Sequence, residues 1–263
     1  MGDTTLKLSP SSASDFKNCP QLFKFRAIDG LPEPISGAAA RGSLVHEVLE
    51  RLFGEPPAER TPSRAEEILL GVWMEAREDP GARPDGLEAE AEQAWLEESR
   101  RLLNNYFRLE DPGKVNAERL EWWVEYELSE VHLRGIIDRL EVRDDGMWIL
   151  TDYKTGRIPS ESREMQAFFG LRFYALVCWR AFGVIPAEIR LVYLSDPSVL
   201  TLNPHERMLV AFERQMTAIS SAVRRAERLN DWRPRPSPFC MTCAFQVHCP
   251  AWAPAPKTET HDA

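Results

Sequence analysis

The run HLRGIIDRLEVRDDGMWILTDYKTG, residues 132–156, reads as two strands and the turn between them. Both flanks are rich in β-branched and aromatic residues, and Asp144-Asp145-Gly146 supplies the turn. A three-residue loop with Gly146 in a left-handed bulge pairs Arg143 with Met147 and sets Asp138 opposite Asp152. Alternate strand residues share a face, so Asp152 and Lys154 join Asp138 on one patch. A two-residue loop would put Asp138 opposite Tyr153, on the other face. The motif pattern described below selects the three-residue loop.

Working outward, RLEWWVEYELS (119–129) reads as a preceding strand. A helix is expected over 162–182, a strand over 188–195 and a helix over 204–229. The order from 119 to 195 is β-β-β-α-β. Upstream, helical periodicity is read at 10–26, 40–53, 64–77 and 86–109. The fold class expected is α/β, with a central mixed sheet flanked by helices. One domain is expected over 1–263. It divides into a helical part (9–118), a sheet core (119–195), a final helix with a cysteine-bearing tail (196–256) and a disordered end (257–263). No internal repeat is found.

Composition sets outer limits. The chain has 263 residues, 43% hydrophobic and 28% charged, which excludes wholesale disorder and a fibrous fold. No apolar run approaches the roughly 18 residues of a membrane span. The start, MGDTTLKLSPSS, lacks a basic region followed by an apolar one, so a cytoplasmic location is expected. The net charge of −9 argues against a nucleic-acid partner until its distribution is read. Residues 55–98 carry 13 acidic and four basic residues, so that segment alone accounts for −9 and leaves the remainder neutral. Local field matters more than the sum. Only six of the 32 basic residues are lysine, one of them Lys154.

Two carboxylates on one patch repel, and a divalent cation relieves them; hard oxygen ligands suit Mg²⁺ or Mn²⁺. Such an ion polarises a phosphoryl oxygen and acidifies water, and an adjacent lysine offsets charge on phosphorus. Asp-x-Lys on a strand is also a common surface ion pair. The apolar Trp148-Ile149-Leu150 before it points instead to a buried strand, where two charges need a reason.

Taken in order, Gly42-x-x-x-His46, Gly135-Ile-Ile-Asp-Arg139, Thr151-Asp-Tyr-Lys-Thr-Gly156 and a following helix with Tyr174 resemble the RecB-type branch of the PD-(D/E)XK nuclease superfamily. The resemblance spans about residues 9–250 and implies a restriction-endonuclease-like core. It implies that His46, Asp138, Asp152 and the carbonyl of Tyr153 hold the metal and that Lys154 is the catalytic lysine. Glu127, on the preceding strand, stands where relatives often carry an acidic residue. The family's Gln-x-x-x-Tyr motif would need glutamine at 170, where this chain has Gly170. Gln166, one turn earlier, is the expected substitute beside Tyr174.

Five cysteines occur. Cys178 lies in an apolar helix and reads as a small core residue. Cys240, Cys243 and Cys249 form a C-x₂-C-x₅-C tail, and Cys19 lies more than 200 residues upstream. Four thiolates suit an iron–sulfur cluster or zinc, and His248 keeps the zinc alternative open. The one-plus-three spacing resembles the iron–sulfur subset of the RecB-type nucleases, including the AddB nuclease domain and the CRISPR adaptation nucleases. That implies a structural 4Fe-4S cluster stapling the chain ends.

The function expected is a metal-dependent DNA nuclease, an exonuclease acting on single-stranded DNA or DNA ends in repair or recombination. Arg157, Arg225 and Arg228 with Trp232 are the residues expected to hold nucleic acid through phosphate contacts and stacking. The chain has no G-x-x-x-x-G-K-[ST] phosphate loop, so any unwinding needs a helicase partner. The alternatives are a DNA-binding module that no longer cuts, or a partner-dependent nuclease subunit.

Overall fold

The computed structural model describes residues 5–79, 82–84 and 86–252. The end at 257–263, expected to be disordered, lies outside the described residues.

In chain order the strands are β1 (Leu6–Leu8), β2 (Ala117–Leu128), β3 (Val131–Val142), β4 (Trp148–Lys154), β5 (Glu188–Tyr193) and β6 (Ser198–Leu202). The helices are α1 (Pro10–Asn18), α2 (Pro20–Phe23), α3 (Gly37–Gly54), α4 (Pro62–Ala76), α5 (Ala89–Leu109), α6 (Glu164–Ala167), α7 (Phe169–Phe182) and α8 (Glu206–Leu229). The six strands form one mixed sheet. β2 runs antiparallel along nearly the whole of β3. The other edge of β3 is shared. β1 pairs in parallel with Val131–Leu133, and β4 pairs antiparallel with Arg139–Val142. Residues 134–138 on that edge are left between the two neighbours. β5 follows parallel to β4 and β6 antiparallel to β5. The fold class read from the sequence is the one observed.

The hairpin loop has three residues. Arg143 N–H donates to the Met147 carbonyl at 3.0 Å, and Gly146 has φ +79°. Arg139 therefore pairs with Thr151, and the same register carries Asp138 to the level of Asp152.

Two cores cover the two faces of the sheet. On one, Phe16, Phe23, Phe173, Leu176, Phe212 and Met216 from α1, α2, α7 and α8 pack on Leu133, Leu150 and Leu191. On the other, Val45, Leu49, Leu69, Trp95 and Tyr106 from α3, α4 and α5 pack on Tyr153 and Val192. Leu191 and Val192 are consecutive on β5 and face opposite cores, as the pleat requires. Each buried Leu or Phe contributes about 1.5–3 kcal/mol of transfer free energy.

Three helices start on capping hydroxyls. The Ser9, Ser36 and Thr61 hydroxyls accept from backbone N–H groups of α1, α3 and α4. The helix expected over 10–26 is broken at Cys19, whose backbone is extended (φ −157°, ψ 107°). Pro20 causes this, because a residue before proline is driven out of the helical region. The helix expected over 162–182 is also broken, at Phe168 (ψ 4°), which divides α6 from α7. β1 and β6 were not expected from the sequence. They are three and five residues long, too short to carry a periodicity. No helix among the described residues is long and apolar enough to cross a membrane.

Candidate metal centre

β3 and β4 separate at Asp138. The Tyr153 N–H, freed from the ladder there, donates to Asp138 Oδ2 at 2.8 Å. His46, from the middle of α3, reaches the same point. Its Nε2 lies 3.0 Å from the Tyr153 carbonyl oxygen and its Nδ1 3.4 Å from Asp138 Oδ2. At Gly42, α3 passes close to Thr155: a Cβ there would sit 3.3 Å from Thr155 Oγ1. Asp152, level with Asp138, forms an ion pair with Lys154 two residues on. Thus His46, Asp138, Tyr153, Asp152 and Lys154 are brought together by three elements.

The electrostatics of this group are under tension. Burial lowers the imidazolium of His46, so the ring is neutral near pH 7. A carbonyl only accepts, so Nε2 carries the proton and Nδ1 keeps its lone pair. That lone pair faces a carboxylate oxygen, another acceptor, at 3.4 Å. Something positive belongs between them. Burial first, and the Asp152 charge second, push the Asp138 carboxyl well above the usual carboxylate range, so a proton can serve. A divalent cation serves better, because it satisfies both atoms and relieves the repulsion from Asp152. The donor set, one imidazole with carboxylates and a backbone carbonyl, suits Mg²⁺ or Mn²⁺. Burial acts to lower Lys154, but Asp152 outweighs it and the ammonium is held above its ordinary range.

Around this group the structure is braced. Arg139, adjacent to Asp138, is fully buried at 0% exposure. It donates to both oxygens of Glu110 at 2.7 and 2.8 Å, to Glu141 at 2.7 Å and to the Tyr153 hydroxyl at 2.6 Å. Arg139 thereby ties β3 to the end of α5 and fixes the residue whose carbonyl enters the site. On the other side, Tyr174 packs against Gly135. A Cβ on Gly135 would lie 2.6 Å from Tyr174 Cε1. The Tyr174 hydroxyl bonds the backbone of Ile136 and feels the charges of Asp152 and Asp138.

Other expected residues lie elsewhere. Gln166 is exposed and sits on α6, so it shares no continuous helix with Tyr174. The break at Phe168 interrupts the single helix on which Gln166 was expected to stand one turn before position 170. A Cβ at Gly170 would meet Pro10 at 3.8 Å, ordinary contact, so space does not demand glycine there. Glu127 pairs with His132 at the far end of the β2–β3 hairpin. Trp232 is buried at 7% exposure, stacked on Phe23 with centroids 6.0 Å apart, and is not open to a base. Arg157 and Arg228 are exposed. Arg225 lines a groove with Arg233 and Arg235.

One site residue was missed. Glu121 on β2 has a ligand oxygen within 4.8 Å of those of His46 and Asp138. It is a non-glycine residue at φ +39° in mid-strand. Such a conformation costs roughly 1–3 kcal/mol. The sheet reverses its facing here. Leu120 packs against the α3–α5 core, whereas Trp122, two residues on, packs against the other. The alternation of RLEWWVE contains no glycine or asparagine to announce this, so no sequence signal was available.

The four remaining cysteines meet at the other end of α1. Cys19, Cys240, Cys243 and Cys249 line one largely apolar cavity of about 30 Å³. Backbone N–H groups of Arg235 and Ser237 donate to the Sγ atoms of Cys19 and Cys240 at 3.4 and 3.3 Å. His248 is exposed and lies edge-on to Phe25, outside that lining. Cys178 is buried in α7.

With this geometry in hand, comparison with known proteins is decisive for the family. The PD-(D/E)XK nuclease superfamily model matches residues 7–250. The chain belongs to the PD-(D/E)XK nuclease superfamily. Among solved structures it is similar to a Eubacterium rectale protein provisionally named an exonuclease, at 13% identity and a TM-score of 0.56. That match covers 91% of this chain and 87% of the other. Identity that low speaks for the fold alone. SSO0001 aligns more loosely, at 20% identity and a TM-score of 0.39, over 63% of this chain and 73% of that one. No curated protein matches in sequence.

Proposed function

We propose that the chain is a metal-dependent deoxyribonuclease, acting as an exonuclease on single-stranded DNA or DNA ends, with a structural 4Fe-4S cluster. The observation that carries the reading is the meeting of His46, Asp138, Asp152 and Lys154 at the gap between β3 and β4. His46, Asp138, Asp152 and the Tyr153 carbonyl would hold the cation. When bound, that cation polarises the phosphodiester and acidifies the attacking water. The rest is the work of the chain. Asp138 is fixed by the Tyr153 N–H, and Arg139 holds Tyr153 from behind. Lys154 stays protonated beside Asp152, so it donates to a phosphate oxygen and offsets charge gathering on phosphorus. Arg157, exposed three residues beyond Lys154, would contact a flanking phosphate. The Arg225, Arg233 and Arg235 groove offers a further track for the backbone.

The cysteine cavity supports a cluster over zinc. Zinc–sulfur bonds of about 2.3 Å bring four sulfurs to within about 3.8 Å of one another. Among the described residues, the group of three or more metal-binding side chains with ligand atoms within 4.8 Å is His46, Glu121 and Asp138, and the cysteines form no such group. A larger inorganic core would account for the wider spacing of the sulfurs. It would join residues more than 200 apart in sequence, which restricts the unfolded chain.

The test is anaerobic purification with iron and sulfide analysis, followed by a Mn²⁺ assay on labelled single and double strands. Equimolar cluster and Mn²⁺-dependent cleavage of DNA are expected. A DNA-binding module that no longer cuts is the second reading, favoured by the exposure of Gln166 and by Gly170. Binding without cleavage under any divalent metal would select it.

A further inference from the structure

We infer that Glu121 is a direct ligand of the divalent ion, contributed by β2 and aimed by its own left-handed backbone. The inference rests on the metal-centre reading above and extends it to a residue outside the family's motif pattern as it stands in this chain.

Glu121 lies across from Asp138 in the β2–β3 ladder, between the pairs Leu120–Arg139 and Trp122–Ile137. In a regular strand, residues 120 and 122 would share a face and 121 would point away from both. Here 120 and 122 face opposite cores, and the reversal is made at Glu121 with φ +39°. The reversal turns the carboxylate toward the gap that holds Asp138. Its ligand oxygen, a nitrogen of His46 and an oxygen of Asp138 all lie within 4.8 Å of one another. That span fits three ligands of one ion with metal–oxygen distances of about 2.0–2.6 Å.

The charges argue the same way. Glu121 is half-buried, and no lysine or arginine forms an ion pair with it among the described residues. It feels Glu50, Asp152 and Glu47, all negative. Lys154 is committed to Asp152. A carboxylate held in a strained backbone, partly out of water, among other carboxylates and without a cation, is unfavourable in the metal-free protein. A divalent ion between Glu121, His46 and Asp138 removes that penalty at once.

The test is Mn²⁺ binding to the full chain without DNA, read by the free-ion electron paramagnetic resonance signal and by the Mn²⁺-induced rise in melting temperature. The variants are Glu121→Gln, Glu121→Gly and Asp138→Asn. Loss of a residue that hydrogen-bonds a metal ligand from behind already weakens metal affinity by about 10–100-fold, so loss of a ligand is expected to weaken it at least tenfold. Glu121→Gly suits a left-handed backbone, so it is expected to fold if Glu121→Gln does not. Wild-type Mn²⁺ affinity in both Glu121 variants, with Asp138→Asn defective, would overturn the Glu121 assignment and leave the metal centre intact. Wild-type affinity in Asp138→Asn as well would overturn the metal centre itself.

Discussion

Arg139 and Asp138 are neighbours with opposite duties. Asp138 is held in the gap beside His46, while Arg139 is sealed behind it among Glu110, Glu141 and Tyr153. Removing one member of a buried ion pair costs about 3–5 kcal/mol, because the remaining charge is left unpaired. Arg139→Met should therefore lower unfolding free energy by about that amount in denaturant titrations. The same pair predicts a pH dependence. Burial alone would raise Glu110, but its bonds to Arg139 outweigh that and hold it below its ordinary value of 4.5. A carboxyl lowered on folding stabilises the native state above its unfolded pKa and loses that contribution as pH falls through the folded one. Wild-type stability should thus drop below about pH 4.5, and the drop should be smaller in Arg139→Met. At this scale the sequence was informative where chemistry repeats a pattern. That Asp138, Asp152 and Lys154 share a patch was legible from the hairpin once the motif pattern chose its loop, and His46 came only from the family resemblance. Glu121 was not legible, since a backbone reversal without glycine leaves no trace in residue type.

At the level of elements, the hairpin register followed from one glycine, and the meeting of β3 with α7 follows from another. Gly135 admits the Tyr174 ring at a distance no side chain would allow. Gly135→Ala should cost about 1–3 kcal/mol through overpacking. In a Tyr174→Ala background the same change should cost less, because the two sites are coupled; additive effects in a double-mutant cycle would contradict the contact. Two of the expected helices, 10–26 and 162–182, were broken, whereas 86–109 and 204–229 stand as α5 and α8. The break at Cys19 was readable from Pro20, whose ring bars helix at the preceding residue. The break at Phe168 has no such marker in MQAFFGL, and it leaves Gln166 exposed on a short helix of its own. β1 and β6 escaped notice because three and five residues carry too few alternations to count.

Across the whole molecule, the acidic sum of −9 conceals a divided surface. The acidic segment belongs to the α4–α5 side, where Glu55, Glu66 and Glu98 are paired with arginines. The Arg225 groove lies at the end of α8, beside the cysteine cavity that Arg235 also lines. Arg225→Ala should weaken DNA binding and lower its salt slope by about one. The cavity lies where α1 ends and the C-terminal tail returns. Cys19→Ser should lower iron content and the melting temperature together; full iron with an unchanged melting temperature would contradict a stapling cluster. Trp232, read from sequence as a nucleic-acid contact, belongs to this same junction as a core residue between Phe16 and Phe23. Its position among arginines suggested exposure, and only the tertiary return of the tail buries it.

The most direct test is cleavage of end-labelled DNA by the anaerobically purified chain in Mn²⁺, wild type beside Asp152→Asn. The geometry predicts cleavage by the wild type that stops with a chelator and falls by several orders of magnitude in Asp152→Asn. Equal cleavage by the two proteins would contradict it.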